Sequence, residues 1–409
     1  MKKTVLVLGA GAREHAIAWK LKKEGHTVLV HPGNAGILND FNSLELDSKA
    51  NLTTIAEKAH KNEVEMIVIG PEVLLEQGYA DELRKKKFLV VGPGKEGAHL
   101  ETSKIFAKEF MEKAKIPTAA FQIGLYPNEV LKFAKQNTAW PIVLKYDGLA
   151  AGKGVVIAAN VEEVENFLER VFEQNEFGFP PHRILVEEYI EGREISYIGL
   201  CDGKTFVPFT SVSDYKRVGN QNTGPNTGGM GTVSPSQVFN SEIENKIQER
   251  IILPFLQQIK KDRIDYRGVL FLGLMIDKNQ DPYVLEFNCR FGDPETQALM
   301  LRLESSLYDL LKATSTSELS KCEKPSWKNE TAIYVVLAAK GYPDKTIVQS
   351  PLSGLNELDQ NITVFYSSGG RMLGLGATAA TKENAREIVY KNLKKITCAG
   401  AHYRTDIGE

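Results

Sequence analysis

The run Lys145-Tyr146-Asp147-Gly148-Leu149-Ala150-Ala151-Gly152-Lys153-Gly154 places three glycines and two lysines in ten residues. That composition suits a backbone able to close around polyphosphate oxygens. It is not a P-loop: the glycine spacing is one residue short, and Gly154 stands where that motif needs Ser or Thr. Both flanks, Ile142–Lys145 and Val155–Ala158, are strand-like. The segment therefore reads as a hairpin tip that folds down over phosphates rather than a strand-to-helix cradle. An ordinary flexible β-turn is the bland alternative, and the flanking lysines argue against it.

N-terminal to this run, Thr4–Leu8, Thr27–Val30, Met66–Ile69 and Phe88–Val91 are short, nearly continuous apolar stretches. They suit strands buried on both faces. Helix formers fill Arg13–Glu24, Thr53–Lys61 and Leu75–Lys87 between them. A βα unit repeating every 25–30 residues or so predicts an open, parallel, doubly wound sheet. A helix is expected over Thr102–Lys115. C-terminal to the glycine run, strands are expected at Ile184–Tyr189, Ser196–Leu200 and Phe206–Phe209, and helices at Asn128–Lys135 and Val161–Phe172. Asp214 to Pro235 shows no apolar periodicity and reads as a long functional loop. A long helix over Ser241–Lys260 precedes a hairpin of Val269–Ile276 and Tyr283–Phe287. Thr314–Asn329 reads as a polar linker to a small α/β tail domain, with strands near Ile333–Ala338, Thr363–Phe365 and Leu373–Ala377 and a helix at Lys382–Lys395.

The whole chain, 409 residues, fits two to four domains of roughly 100–200 residues each. A formal net charge of −2 argues against a broad nucleic-acid surface, which needs excess positive charge. No apolar run reaches the ~18–20 residues of a membrane span. Met1-Lys2-Lys3 leads straight into Val5-Leu6-Val7-Leu8, without an apolar leader or cleavage site. Cys201, Cys289, Cys322 and Cys398 are widely spaced, which disfavours a disulfide framework or a zinc site. A cytoplasmic protein is expected.

Three further clusters carry chemistry. Gly9-Ala10-Gly11-Ala12-Arg13-Glu14-His15 follows the first strand, where backbone N–H groups can meet a phosphate. As a nicotinamide fingerprint it is defective: Glu14 occupies the third glycine position, and His31-Pro32-Gly33 replaces the acidic ribose anchor. Binding of a small phosphorylated ligand is the preferred reading, with a purely structural turn as the alternative. The turns Pro32-Gly33-Asn34-Ala35-Gly36 and Gly70-Pro71-Glu72 follow strands of the same sheet and face the same crevice. In Glu286-Phe287-Asn288-Cys289-Arg290, residues i, i+2 and i+4 share a strand face. Glu286 and Asn288 offer hard oxygens for a divalent ion shared with phosphates, and Arg290 can clamp an anion. Glu187-Glu188-Tyr189-Ile190, with Glu194 behind, reads either as exposed edge charge or as a hinge strand meeting adenine and ribose. No catalytic Ser elbow, HExxH or His/Cys cluster is present.

These elements, in this order, resemble the phosphoribosylamine–glycine ligases, or glycinamide ribonucleotide synthetases, of the ATP-grasp superfamily. The resemblance spans essentially the whole chain. It is most specific at Asp147–Val155, Thr223-Gly224-Pro225-Asn226-Thr227-Gly228-Gly229-Met230-Gly231 and Glu286–Glu295. It implies an α/β and α+β multidomain protein: a preATP-grasp N-domain with a Rossmann-like parallel sheet (1–102), an ATP-grasp unit (103–325) with a mobile lid at about 117–190, and a small C-terminal domain (326–409). The reaction implied is ligation of glycine to 5-phosphoribosylamine through glycyl phosphate, with ATP and Mg²⁺ or Mn²⁺.

The resemblance also implies residue roles. Lys104, Lys145, Gly148, Gly152, Lys153 and Gly154 would hold phosphates, and Glu187, Glu188, Tyr189, Ile190 and Glu194 adenosine. Glu286 and Asn288 match the metal ligands. Arg290, Lys216 and Asp214 would serve catalysis. Gly11, Arg13, Glu14, Gly33, Asn34, Gly36, Pro71, Glu72, Gly229, Met230 and Asp293 would contact substrate. The implied partners are the small molecules ATP, glycine and 5-phosphoribosylamine; no nucleic acid or membrane is expected, and a monomer is expected in preference to an obligate oligomer. Ala12 and Tyr146 stand where many relatives have glycine and alanine, and the segment between Leu358 and Gly369 looks shortened. Leu274 stands near the place where other ATP-grasp enzymes often have another carboxylate, so few protein ligands are expected for the metal. Another ATP-grasp carboxylate–amine ligase or carboxylase, a Rossmann-type oxidoreductase and a non-catalytic nucleotide sensor are the competing readings.

Overall fold

The computed structural model describes residues 2–150, 154–178, 180–343 and 350–409. The N-terminal apolar runs form β1 (Thr4–Gly9), β2 (Thr27–Pro32), β3 (Val64–Ile69) and β4 (Leu89–Val91). All pair in parallel, in the order β2-β1-β3-β4. Side-chain alternation explains why these strands are apolar throughout. Val5 and Val7 pack with Ala16, Ile17 and Leu21 of the helix Ala12–Lys23, whereas Leu6 and Leu8 pack with Ile55, Ala56 and Ala59 of the helix Leu52–Lys61. The helix expected over 75–87 is two helices, Glu72–Glu76 and Tyr79–Lys85, because Gly78 between them takes φ +79°. The helix expected from Thr102 begins at Lys104, and Ser103 caps it by accepting the Phe106 N–H at 3.1 Å. Thr102 instead closes a separate helix, Lys95–Thr102, that the sequence reading missed.

The next unit is an antiparallel sheet of β5 (Phe121–Gly124), β6 (Ile142–Tyr146), β7 (Val155–Ala158) and β8 (Ile184–Glu188), in the order β5-β8-β6-β7. Val130, Ala134, Val164 and Phe167, from the helices Pro127–Gln136 and Val161–Leu168, cover Leu144 and Val186. β6 and β7 pair from Ile142↔Ala158 to Lys145↔Val155, so the glycine run does join two antiparallel strands. Tyr146 is buried within this unit against Phe177 and His182.

β9 (Arg193–Cys201) and β10 (Phe206–Pro208) begin the central body. The stretch read as a 22-residue loop is not structureless. It forms β11 (Ser213–Asp214), β12 (Arg217–Gly219), β13 (Thr223–Asn226) and β14 (Gly231–Ser234). Glycines and prolines hide the short β12–β13 hairpin from periodicity. β15 (Gly268–Ile276) and β16 (Pro282–Asn288) complete the central sheet, ordered β10-β9-β15-β16. The long helix runs through Ser241–Ile247 and Leu253–Lys261 with a π turn between. The expected polar linker begins as a helix, Leu307–Thr316, that buries Thr314 and Ser315.

The C-terminal sheet contains β17 (Thr331–Ala338), β19 (Thr363–Tyr366) and β20 (Arg371–Ala379), with the short β18 (Leu352–Ser353) outside it. Its order, β11-β14-β17-β20-β19, takes two strands from the glycine-rich stretch of the central body. Backbone pairing thus ties the C-terminal sheet to that stretch. All four cysteines are free. No helix among the described residues is long and apolar enough to cross a membrane.

Candidate active site

Glu286 and Asn288 lie two apart at the end of β16, on one face. Opposite Glu286 in β15 stands Gly273, where a Cβ would come 3.0 Å from the Glu286 Cγ, so the glycine leaves that carboxylate its room. Asn288 Nδ2 lies 3.4 Å from Glu286 Oε1, and Arg290 Nη2 donates to Asn288 Oδ1 at 3.1 Å. All three expected side chains meet. Burial alone would raise Glu286, but Lys216, Lys145 and Lys104 hold it below the ordinary carboxylate range. A charged carboxylate beside an amide oxygen fits a Mg²⁺-type ion that draws its remaining ligands from phosphates and water. Leu274 is fully buried, and among the described residues no group of three His, Cys, Asp or Glu gathers as a metal cage.

The lysines are held by separate devices. Lys145 Nζ pairs with Glu187 Oε2 at 2.9 Å and donates to the Leu285 carbonyl at 3.0 Å. Lys108, on the helix Lys104–Ala114, reaches Glu187 Oε1 at 3.4 Å from the other side. Glu187 therefore lies between two lysines, ion-paired with both. Lys104 Nζ donates to the Gly148 carbonyl at 2.9 Å. Asp147 accepts the Ile105 N–H at 3.1 Å and the Ser103 hydroxyl at 3.0 Å, which docks the root of the glycine run on that helix start. Gly148 takes φ +147°. Gly152 and Lys153 lie outside the described residues, while Gly154 N-terminal to β7 accepts the Tyr146 N–H at 2.8 Å. Glu188, the last residue of β8, and Tyr189 after it are exposed and Ile190 is half-buried; Glu194, at the start of β9, is ion-paired with Lys216.

Asp214 stands at the end of β11, and its buried Oδ1 has no hydrogen-bond partner among the described residues. Burial drives its carboxyl well above the usual range, and Glu295 adds repulsion. Glu295 is raised too, mainly by burial, and accepts from Ser196 Oγ at 3.1 Å. Gly229 takes φ +102°, and a Cβ there would strike Pro294 Cδ and approach Asp214 Oδ1 to 2.8 Å. Met230 next to it is fully buried in the C-terminal core, its N–H donating to the Tyr215 carbonyl at 2.9 Å and its carbonyl accepting the Val336 N–H at 3.0 Å.

The N-terminal turns are more internally bonded than the sequence suggests. Glu14 Oε2 accepts the Gly11 N–H at 2.7 Å, and Glu14 Oε1 accepts Arg13 Nε at 2.6 Å. Glycine at 9 and at 70 is required for this carboxylate: a Cβ at Gly9 would lie 2.5 Å from its Cγ, and one at Gly70 would collide with Oε1. The residue that spoils the nicotinamide fingerprint is thus the one around which the turn is built. Arg13 is largely buried, with Nε on Glu14 and Nη1 on the Phe291 carbonyl at 3.1 Å. Asn34 caps its helix and donates to the Ala10 and Ser367 carbonyls at 2.8 and 3.1 Å. Gly33 takes φ +68°, and Gly36 leaves room for the Tyr366 ring. Pro71 begins the helix carrying Glu72, whose carboxylate pairs with Arg290 at 3.4 Å. Ala12 opens its helix without left-handed backbone, so glycine is not needed there.

Three family models match consecutive parts of the chain: the phosphoribosylglycinamide synthetase N domain over residues 3–101, its ATP-grasp (A) domain over 102–296, and its C domain over 332–409. This chain belongs to the phosphoribosylglycinamide synthetase family. It is similar to the phosphoribosylamine–glycine ligases of Xanthomonas axonopodis pv. citri, at 38% identity, and Pseudomonas aeruginosa, at 39%. Each alignment covers 99% of this chain and 97% of the relative. The crystal structure of phosphoribosylamine–glycine ligase from Thermotoga maritima superposes with a TM-score of 0.85 at 34% identity, covering 99% of this chain and 100% of that one. The chain thus has the three-part synthetase architecture with an ATP-grasp fold, and is an enzyme of the ATP-dependent carbon–nitrogen ligase class.

Within this family fold, four residues stand at the site that sequence reasoning gave no role. Lys108 shares a helix face with Lys104 at i, i+4, a spacing that was readable. Glu295 lay inside a quoted motif. Glu101, on the missed helix, accepts the Cys289 N–H at 2.7 Å and pairs with Arg290 at 2.9 Å. Arg371 reaches in from β20, and nothing local in its sequence signals that.

Proposed function

We propose that the chain ligates glycine to 5-phosphoribosylamine, consuming ATP and releasing glycinamide ribonucleotide, ADP and phosphate through glycyl phosphate, as a step of de novo purine biosynthesis. The observation that carries this is the gathering of Lys104, Lys145, Lys216 and Arg290 about the charged Glu286 and its neighbour Asn288. The division proposed is 1–102 for phosphoribosylamine, 103–325 for ATP and glycine with 117–190 as a lid, and 326–409 as a C-terminal domain.

Lys104, Lys145 and the Gly148–Gly154 run hold phosphates. Glu188, Tyr189, Ile190 and Glu194 line the adenosine side, and Glu187 acts by aiming Lys145. Glu286 and Asn288 hold Mg²⁺ or Mn²⁺, which when bound neutralises charge on the transferring phosphoryl group. Glycine lies by Arg290, Lys216, Asp214 and the Gly229–Met230 backbone, where its carboxylate takes the phosphoryl group. The turns at Gly11, Gly33–Gly36 and Pro71–Glu72, with Asp293, take the phosphoribosyl part, and Arg13 and Glu14 support them. The attacking amine is already nucleophilic, so positioning and charge neutralisation supply most of the rate without a dedicated base. The expected setting is the cytoplasm and the expected unit a monomer.

ADP release tests the reading, measured with each of the three substrates omitted in turn. Release that needs glycine and phosphoribosylamine together supports it. Release driven by a different small acid favours another ATP-grasp ligase.

A further inference from the structure

Arg371 leaves the first residue of β20 and is largely buried between two stretches of the central body. Its Nη1 donates to the Gly228 carbonyl at 2.6 Å and to the Asp293 carbonyl at 3.1 Å, and its Nη2 pairs with Asp293 Oδ2 at 3.1 Å. Gly228 is held at its other backbone group too, since its N–H, in the preceding peptide, donates to the Tyr342 hydroxyl at 3.0 Å. Asp293 is fixed further by Gln297 Nε2, which donates to Oδ1 at 2.9 Å. The same Oδ2 that meets Arg371 lies 3.4 Å from where a Cβ on Gly11 would stand, so Asp293 borders the first glycine turn. Three parts of the chain therefore converge on one carboxylate: the turn after β1, the loop after β16, and the start of β20.

A planar guanidinium has the geometry for this task. One fork can bond two carbonyls and a carboxylate at once, which a lysine ammonium on a flexible stem cannot reproduce. The bonds of its two terminal nitrogens run to the Gly228 and Asp293 loops.

We propose that Arg371 is a positioning residue for phosphoribosylamine, holding the Asp293 carboxylate toward the Gly11 turn and the Gly228–Gly229 peptide against it. The inference rests on the proposed ligase reaction and adds to it a residue from the C-terminal sheet. Asp293 then receives the hydroxyls or the amine of the ribosylamine, while ATP, held by Lys104 and Lys145 on the other side of Glu286, is untouched.

The test is the steady-state KM for each substrate in the full-length wild type and in Arg371→Lys and Arg371→Gln, with thermal melting of each. Wild-type rates report on the ligase reading itself; variant-to-wild-type ratios report on Arg371. Both variants are expected to raise the KM for phosphoribosylamine about 10- to 150-fold, the loss of a charge-assisted bond, with the KM for ATP within about twofold. Asp293→Asn should do the same, and the double variant should add little further. A parallel rise in all three constants with a lowered melting temperature would mean a structural tie only, and overturns the proposal. An unchanged phosphoribosylamine KM, or a rise confined to glycine, overturns it as well.

Discussion

Replacing Glu187 by Gln keeps the side-chain volume and removes one buried negative charge. Glu187 is 2% exposed at its side chain and lies between Lys145 Nζ at 2.9 Å and Lys108 Nζ at 3.4 Å. In Glu187→Gln both ammoniums face a neutral amide. Removing one partner of a buried ion pair costs about 3–5 kcal/mol, because the remaining charge is stranded. Two features place the cost at the low end. Lys145 keeps the Leu285 carbonyl, and Lys108 keeps Thr118 Oγ1 at 2.7 Å and the Ala119 carbonyl at 3.1 Å. Lys108 can also shed its proton, since burial already draws it down to about 8 against the pull of Glu187. A loss of about 3 kcal/mol is an increase of roughly 10² in local opening of β6 and β8. Hydrogen exchange on the full chain reads this directly, and the KM for ATP should rise with it as Lys145 loses its aim. Glu188→Gln, one residue on and exposed, should do neither. Wild-type protection of β6 and β8 in Glu187→Gln would refute the triad.

Glu286→Ala should cut kcat by about 10² or more, the loss expected for one group stabilising transition-state charge, roughly 2.7–4 kcal/mol; near-normal turnover at saturating Mg²⁺ would contradict its assignment. Gly229→Ala should lower kcat/KM for glycine at least about tenfold, because the backbone is left-handed there and the Cβ meets Pro294, and a glycine titration checks it. Lys108 binds its proton less tightly in the fold than unfolded, so its charged form penalises stability below about pH 8, and that penalty is relieved as pH rises toward 10.5. Lys108→Met should therefore flatten the pH dependence of unfolding in that window relative to wild type, as denaturant midpoints would show.

Some of this was legible in the chain alone because the controlling forces are local. The strands β1 and β3 are apolar at every position since both faces are covered, and the β6–β7 hairpin announces itself through glycines between β-branched runs. Glu286, Asn288 and Arg290 follow from strand periodicity. The rest depends on distant contacts. Arg371 bonds partners 78 and 143 residues away, and no pattern around it says so. Lys108 reads as one more solvated lysine until its helix is seen to bury it. Gly9 and Gly70 suggest phosphate turns, but their missing side chains serve Glu14, a fact visible only once β1 and β3 lie side by side. Gly231–Ser234 looks like loop because its pairing partner is a strand about a hundred residues later.

The central claim is that glycine is phosphorylated on its carboxylate before the amine attacks. Glycine labelled with heavy oxygen in both carboxylate positions, turned over with ATP and phosphoribosylamine, should deliver one labelled oxygen to each inorganic phosphate released, read by mass spectrometry of the phosphate. Unlabelled phosphate formed alongside glycinamide ribonucleotide would contradict the account.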